Sequence, residues 1–213
     1  MPVSVLISPD VVPSPAREAE WLGRLPSARR AVVCRWPDGR ARQRSLLASR
    51  LLAEGLRDLG YPAGALASLR HSAQGRPALD LPVDFSLSHC DGRVVCALST
   101  RGPIGVDVES VGPLRADAFP HYLNATERAW AGRSARRFYS VWTRKEAVAK
   151  AAGTPGLSAL PRIDTAGRER GARFEGRLWH TPAVPVGPGH VAHLAVAEAP
   201  DDLRFECLDP AVL

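Results

Sequence analysis

Phe138-Tyr-Ser-Val-Trp142-Thr-Arg-Lys145-Glu146-Ala-Val-Ala-Lys150-Ala-Ala-Gly153 decides how this chain is read. Apolar side chains recur at Phe138, Val141, Trp142, Val148, Ala149 and Ala152. That three-and-four spacing gives a helix one buried face. Gly153 and Pro155 predict its end. Glu146 and Lys150 stand four apart and share one helix face. The chain has 28 basic residues, and only Lys145 and Lys150 among them are lysines. An ammonium is a compact charge that can give up its proton, which a guanidinium does not do. Two readings stay open here: a solvated surface pair contributing about 0.2–0.5 kcal/mol, or a functional pair beside an apolar face.

The segment N-terminal to this helix narrows the choice. Ile104-Gly-Val-Asp-Val-Glu109 alternates as a strand. Ile104, Val106 and Val108 share one face, and Asp107 and Glu109 share the other. Two carboxylates on one strand face repel unless a cation lies between them. The segment is either a solvent-exposed strand face or a hard-cation site, for which oxygen donors select magnesium or manganese. Asn124 and Glu127 have the spacing of a capping box, and capping is the leading account of Glu127.

Further upstream, Val83–His89 alternates with Phe85 and Leu87 on one face. Asp91-Gly92 is a hairpin signal, and Arg93–Ser99 is the returning strand,. Ser88, His89 and Cys90 fall near the hairpin tip, where a ligand has access. Residues 60–82 are turn-rich around Gly75-Arg76-Pro77. Arg42–Leu59 predicts an amphipathic helix through Leu46, Leu47, Leu51, Leu52, Leu56 and Leu59, closed by Gly60. Arg44 lies in its first turns. Asp38-Gly39 predicts a turn, Pro15–Leu25 a helix, Ser27 the N-cap of another, and residues 3–7 a strand. After Gly153, three strand-like pieces (171–179, 190–198 and 203–208) predict a small antiparallel sheet. His190 and His193 read there as strand residues, since no third ligand has a sensible spacing.

Composition bounds the class. The 213 residues are 45% apolar and 23% charged, as in ordinary globular proteins,. No apolar run approaches a bilayer span, and the first ten residues lack the pattern of a signal peptide. The expectation is a cytoplasmic protein without a membrane partner. Cys34, Cys90, Cys96 and Cys207 show no paired spacing and read as reduced thiols,. The net charge of +6 implies an anionic partner or an arginine-rich coding bias,. Aromatics, at 6%, are not interleaved with the basic runs, so nucleic acid is disfavoured as that partner,.

Three motifs now stand in order: Ser-Leu-Ser88-His89, Gly105-Val-Asp107-Val-Glu109, and Trp142-Thr-Arg-Lys145-Glu146-Ala-Val-Ala-Lys150. Together they resemble the 4′-phosphopantetheinyl transferases, specifically the long, pseudo-dimeric type that activates peptide and polyketide synthases such as surfactin synthetase. The resemblance is clear over about residues 72–165, and Arg42–Leu52 is similar to the family's first helix. It implies transfer of phosphopantetheine from coenzyme A to a serine of an apo acyl or peptidyl carrier protein, with release of 3′,5′-ADP. It implies an α+β fold of two similar halves, 1–101 and 102–213, with the active site in the cleft between them, in a monomer.

The resemblance also implies roles. Asp107, Glu109 and Glu146 match the magnesium ligands, with manganese also possible, and Glu146 matches the proposed general base. Lys150 matches the phosphate contact that protonates the departing ADP, and Lys145, the neighbouring motif lysine, is implied as a further coenzyme A-binding residue. Ser88 and His89 match coenzyme A phosphate contacts. Arg44 and Arg76 match cationic positions that hold the adenosine phosphates. Arg76 stands where the family has a lysine in a Gly-Lys-Pro turn. The family's lysines near its first helix have no registered counterpart, although Arg29 and Arg30 are nearby. The competing expectations are a non-catalytic module binding nucleic acid or another anionic ligand, and a degenerate member that binds coenzyme A without transferring it. Length disfavours a short trimeric carrier-protein synthase.

Overall fold

A computed structural model describes residues 3–37, 39–71, 76–166, 171–211 and 213. Asp38 and Gly75, named above in predicted turns, lie outside them. The chain forms β1 (Val3–Pro9), α1 (Pro15–Arg24), α2 (Ser27–Cys34) and α3 (Gly39–Asp58). A two-stranded ribbon of β2 (Arg70–His71) and β3 (Pro77–Ala78) follows, then the hairpin β4 (Asp84–Cys90) and β5 (Arg93–Ser99). The second part holds β6 (Ile104–Ser110), α4 (Ala125–Ala131) and α5 (Ala135–Ala151). It continues with β7 (Gly171–Phe174), β8 (Arg177–His180), β9 (His190–Val196) and β10 (Leu203–Cys207). The architecture is mixed α+β.

Two four-stranded sheets carry the fold, in the orders β10-β1-β5-β4 and β6-β9-β8-β7. Hydrophobic alternation stacks four layers. Leu6, Phe85, Val94, Cys96 and Leu98 face α3, meeting Leu46, Leu47, Leu51, Leu52 and Leu56. The opposite face of that sheet, with Val3, Val5, Ile7, Val95 and Ala97, packs on Ile104, Val106, Val108, Ala192, Leu194 and Val196. The far face of the second sheet receives α5. Strand β5 is thus buried on both faces, so its sequence is a continuous apolar run rather than an alternation,.

Several expectations are corrected. The last strand does not join a C-terminal antiparallel sheet. β10 pairs in parallel with β1 instead, at an edge where mostly exposed residues suffice. A division at 101/102 therefore separates the strands of the two sheets except for this returning one. Ser27 is the first residue of α2 and not its cap. Pro26 occupies the cap position and offers no side-chain bond. The cap bond lies earlier, where the Ser14 hydroxyl accepts from the Arg17 amide at the start of α1. Helix α3 begins at Gly39, three residues before the expected start at Arg42. Among the described residues no helix is long and apolar enough to cross a membrane.

Candidate active site

The site begins with one missing side chain. A Cβ on Gly105 would strike the Ala147 carbonyl oxygen and lie 2.6 Å from the Ala151 amide nitrogen. Glycine here lets the α5 backbone rest directly on β6. Alternation then places Asp107 and Glu109 on the strand face that α5 covers, where Glu146 and Lys150 also fall.

The opposite edge of β6 is finished by β4. Three alternate β4 side chains, Asp84, Ser86 and Ser88, accept from the amides of Ile104 (2.8 Å), Val106 (3.0 Å) and Val108 (3.3 Å). Side chains thus take the place of a neighbouring backbone and satisfy N–H groups that burial would otherwise orphan. The sequence carries a signal for this that apolar alternation alone does not single out: Asp84-x-Ser86-x-Ser88 alternates against Phe85 and Leu87. The arrangement joins the two sheets and brings Ser88 to Asp107.

At that junction the Lys150 ammonium lies 2.7 Å from Asp107 Oδ1, 3.1 Å from Ser88 Oγ and 3.0 Å from the Val106 carbonyl oxygen. Ser88 Oγ donates to the same Asp107 oxygen at 2.9 Å. Lys150 therefore bonds to the strand carboxylate, and no bond to Glu146 accompanies it. Burial, then the Asp107 charge, raises the Glu109 carboxyl to about 7, with Glu146 adding to the shift and Lys150 opposing it. Burial and Asp107 push the Glu146 carboxyl up as well, again against Lys150. One lysine among three crowded carboxylates leaves negative charge uncompensated.

Among the described residues no group of three His, Cys, Asp or Glu side chains is arranged to hold a metal ion. The donor chemistry nevertheless fits a hard cation. Asp107 Oδ2 is buried without a hydrogen-bond partner, and its neighbours Glu109 and Glu146 are oxygen donors whose charged forms a cation would stabilise.

The remaining expected residues divide. His89, at the exposed end of β4, has its pKa lowered by partial desolvation, then by the charges of Arg44 and Lys150. Arg44 is beside the same hairpin, paired with Asp10 at 2.8 Å and with Asp91. Arg76 lies at the other end of β4, bonded to Asp84 at 2.6 Å and to the Ile104 carbonyl oxygen at 2.9 Å. The structure does not bring it to the Asp107 cluster. Arg29 is tied to Ser45 and Ser49 of α3, and Arg30 to carbonyl groups at the end of α1.

Lys145 departs furthest from expectation. It is completely buried and points away from Lys150. Its ammonium meets Glu127 Oε2 and the Tyr122 carbonyl oxygen, each at 2.7 Å, and the Leu160 carbonyl oxygen at 3.1 Å. The predicted capping box is present, with Asn124 and Glu127 bonded reciprocally. The same glutamate also accepts from the Thr165 amide and hydroxyl. Glu127 is therefore both a cap and the counter-ion of a motif lysine. Burial lowers the Lys145 pKa, opposed by Glu127. His193 is a buried strand residue, as read, with Nδ1 2.7 Å from the Thr143 hydroxyl.

The sequence around this site matches known proteins. A profile of the 4′-phosphopantetheinyl transferase superfamily matches residues 103–183, the segment that contains β6, α4 and α5. The 4′-phosphopantetheinyl transferase Gsp of Aneurinibacillus migulanus is 32% identical over 89 residues, 39% of this chain and 37% of that protein. AcpT of Salmonella typhi, also named a 4′-phosphopantetheinyl transferase, is 31% identical over 142 residues, 62% of this chain and 68% of AcpT. Sfp of Bacillus subtilis, of the same name, is 32% identical over 101 residues, 43% of this chain and 44% of Sfp. The matches to Gsp and Sfp thus span less than half of either protein.

Proposed function

The chain belongs to the 4′-phosphopantetheinyl transferase superfamily, and from that premise we propose that it transfers the 4′-phosphopantetheine arm of coenzyme A to a serine hydroxyl of an apo acyl or peptidyl carrier protein, releasing 3′,5′-ADP in a magnesium-dependent reaction. The observation that carries the proposal is the meeting of Lys150, Asp107 and Ser88 at the sheet junction, with Glu109 and Glu146 alongside. Attack at phosphorus needs charge neutralisation and positioning more than covalent help from the protein.

Asp107, Glu109 and Glu146 would hold the divalent cation, which when bound neutralises pyrophosphate charge. Ser88, His89 and Arg44 are the proposed phosphate contacts; Arg76, which the resemblance adds, is held at the far end of β4 by Asp84 and the Ile104 carbonyl oxygen. Glu146 takes the proton of the carrier serine as its oxygen bonds to the phosphorus that bears the pantetheine arm. The bond from that phosphorus to the ADP oxygen breaks, and Lys150 gives the departing oxygen a proton. Lys145 has no part in this step, because its ammonium is sequestered by Glu127. The enzyme works as a cytoplasmic monomer whose two halves are related by a pseudo-twofold, with the reaction in the cleft between them.

The test is mass spectrometry of apo carrier proteins incubated with the protein, coenzyme A and magnesium. A carrier gains one phosphopantetheine arm, and the gain disappears with a chelator and in Glu146→Gln. Coenzyme A binding without any gain across a panel of carriers refutes transfer. Absence of binding refutes the ligand as well.

A further inference from the structure

Asp10 lies directly after β1, and its side chain is only 1% exposed. Its Oδ2 accepts from Arg44 Nε at 2.8 Å and from Arg40 Nη2 at 3.3 Å, while Oδ1 is buried without a hydrogen-bond partner. Arg44 Nη2 reaches a second carboxylate, that of Asp91. Asp91 is at the tip of the β4–β5 hairpin, beside His89, and its side chain is 83% exposed. The hairpin tip is anchored twice through its backbone. The Asp10 amide donates to the Gly92 carbonyl oxygen at 3.2 Å, and His190 Nε2 lies 2.8 Å from the Asp91 carbonyl oxygen.

One guanidinium is therefore held by two carboxylates of different character. The buried one grips the Nε edge and has Arg40 as a second, longer partner. The exposed one meets an outward nitrogen in water, where an ion pair contributes little. A guanidinium accepts a carboxylate or a phosphate on the same fork of donors. We propose that Asp10 is a positioning residue that turns the Nη nitrogens of Arg44 outward for a phosphate of coenzyme A, and that the Asp91 carboxylate is a built-in stand-in for that phosphate, displaced when coenzyme A binds. The inference rests on coenzyme A being the ligand. It assigns opposite effects to two acids on the same arginine, which a merely structural cluster would not give.

The experiment is calorimetric titration of the full chain with coenzyme A, together with kcat and KM, for the unsubstituted protein and two variants. Asp91→Asn keeps the turn, since Asn-Gly suits the same hairpin geometry. It should tighten coenzyme A binding by about threefold, the modest size of an exposed pair. Asp10→Asn should raise Kd and KM for coenzyme A by about tenfold with kcat within about twofold, and Asp10→Glu should recover part of the loss. An Asp91→Asn protein that binds coenzyme A no more tightly overturns the stand-in role, whatever the folding of the Asp10 variant. A fall in kcat and melting temperature at unchanged KM in Asp10→Asn overturns the positioning role. If the unsubstituted protein binds no coenzyme A, the functional reading fails and this inference falls with it.

Discussion

Lys145→Met removes one charge and keeps most of the side-chain volume, so it asks what the buried ammonium does. In the native chain that ammonium satisfies Glu127 Oε2 and two carbonyl oxygens. Its loss leaves the Glu127 carboxylate, whose side chain is 1% exposed, without a counter-ion. Breaking a buried ion pair by removing one partner costs about 3–5 kcal/mol. The low end, about 3 kcal/mol, applies here, because Glu127 still accepts from the Asn124 amide and from the Thr165 amide and hydroxyl. For a chain of this size each kcal/mol lowers Tm by about 2–4 °C, giving a fall of about 6–12 °C. Adding Glu127→Gln removes the stranded charge and should restore about half of it. The assay is thermal unfolding of the single and double variants, paired with coenzyme A titration of the folded protein. A Tm within about 2 °C of the parent, together with a large rise in Kd for coenzyme A, would refute the structural role. It would return Lys145 to the coenzyme A-binding residues that the resemblance implies.

Three other substitutions probe separate parts of the architecture. Gly105→Ala pushes α5 off β6 and should cost about 3 kcal/mol or more, with carrier modification falling further than stability; a variant of unchanged activity would contradict the backbone contact. Ser86→Val leaves the Val106 amide buried without its acceptor and should destabilise by about 1–3 kcal/mol in urea unfolding, whereas an unchanged midpoint would remove side-chain bonding as the link between the sheets. Burial and then Arg144 hold the His193 pKa down to about 3. The folded state therefore favours the neutral ring, and its stabilisation is complete above pH 6.5 and is lost as pH falls from there towards 3. At pH 5 the loss is about 2 kcal/mol, and His193→Gln should flatten the stability profile between pH 7 and 5; a parallel profile in the variant would contradict the assignment.

The sequence by itself determined the elements with strong periodicity and the identity of the functional groups. Alternation in residues 104–109 placed Asp107 and Glu109 on one face, and the three-and-four spacing of residues 138–152 gave the helix. The Asp91-Gly92 turn gave the hairpin, and the three motifs together gave the family. Local patterns suffice there because strand alternation and helix period act over a few residues. They did not place β10, whose parallel partner β1 lies at the other end of the chain, nor the cap of α2. They left Asp10 and Asp84 unnoticed, because an acid shows its importance only when burial and partners are known.

Tertiary structure alone decided how the two lysines divide. Five residues at 3.6 per turn set Lys145 and Lys150 about 140° apart around α5. Sequence therefore required them to diverge, without saying which one met the strand. The contact of α5 with Gly105 fixed the helix rotation. It sent Lys150 over the edge of β6 to Asp107 and Ser88, and Lys145 into the core against Glu127. A motif lists residues in order, whereas packing chooses the dielectric and the counter-ion that each one meets, and these determine what an ammonium can do.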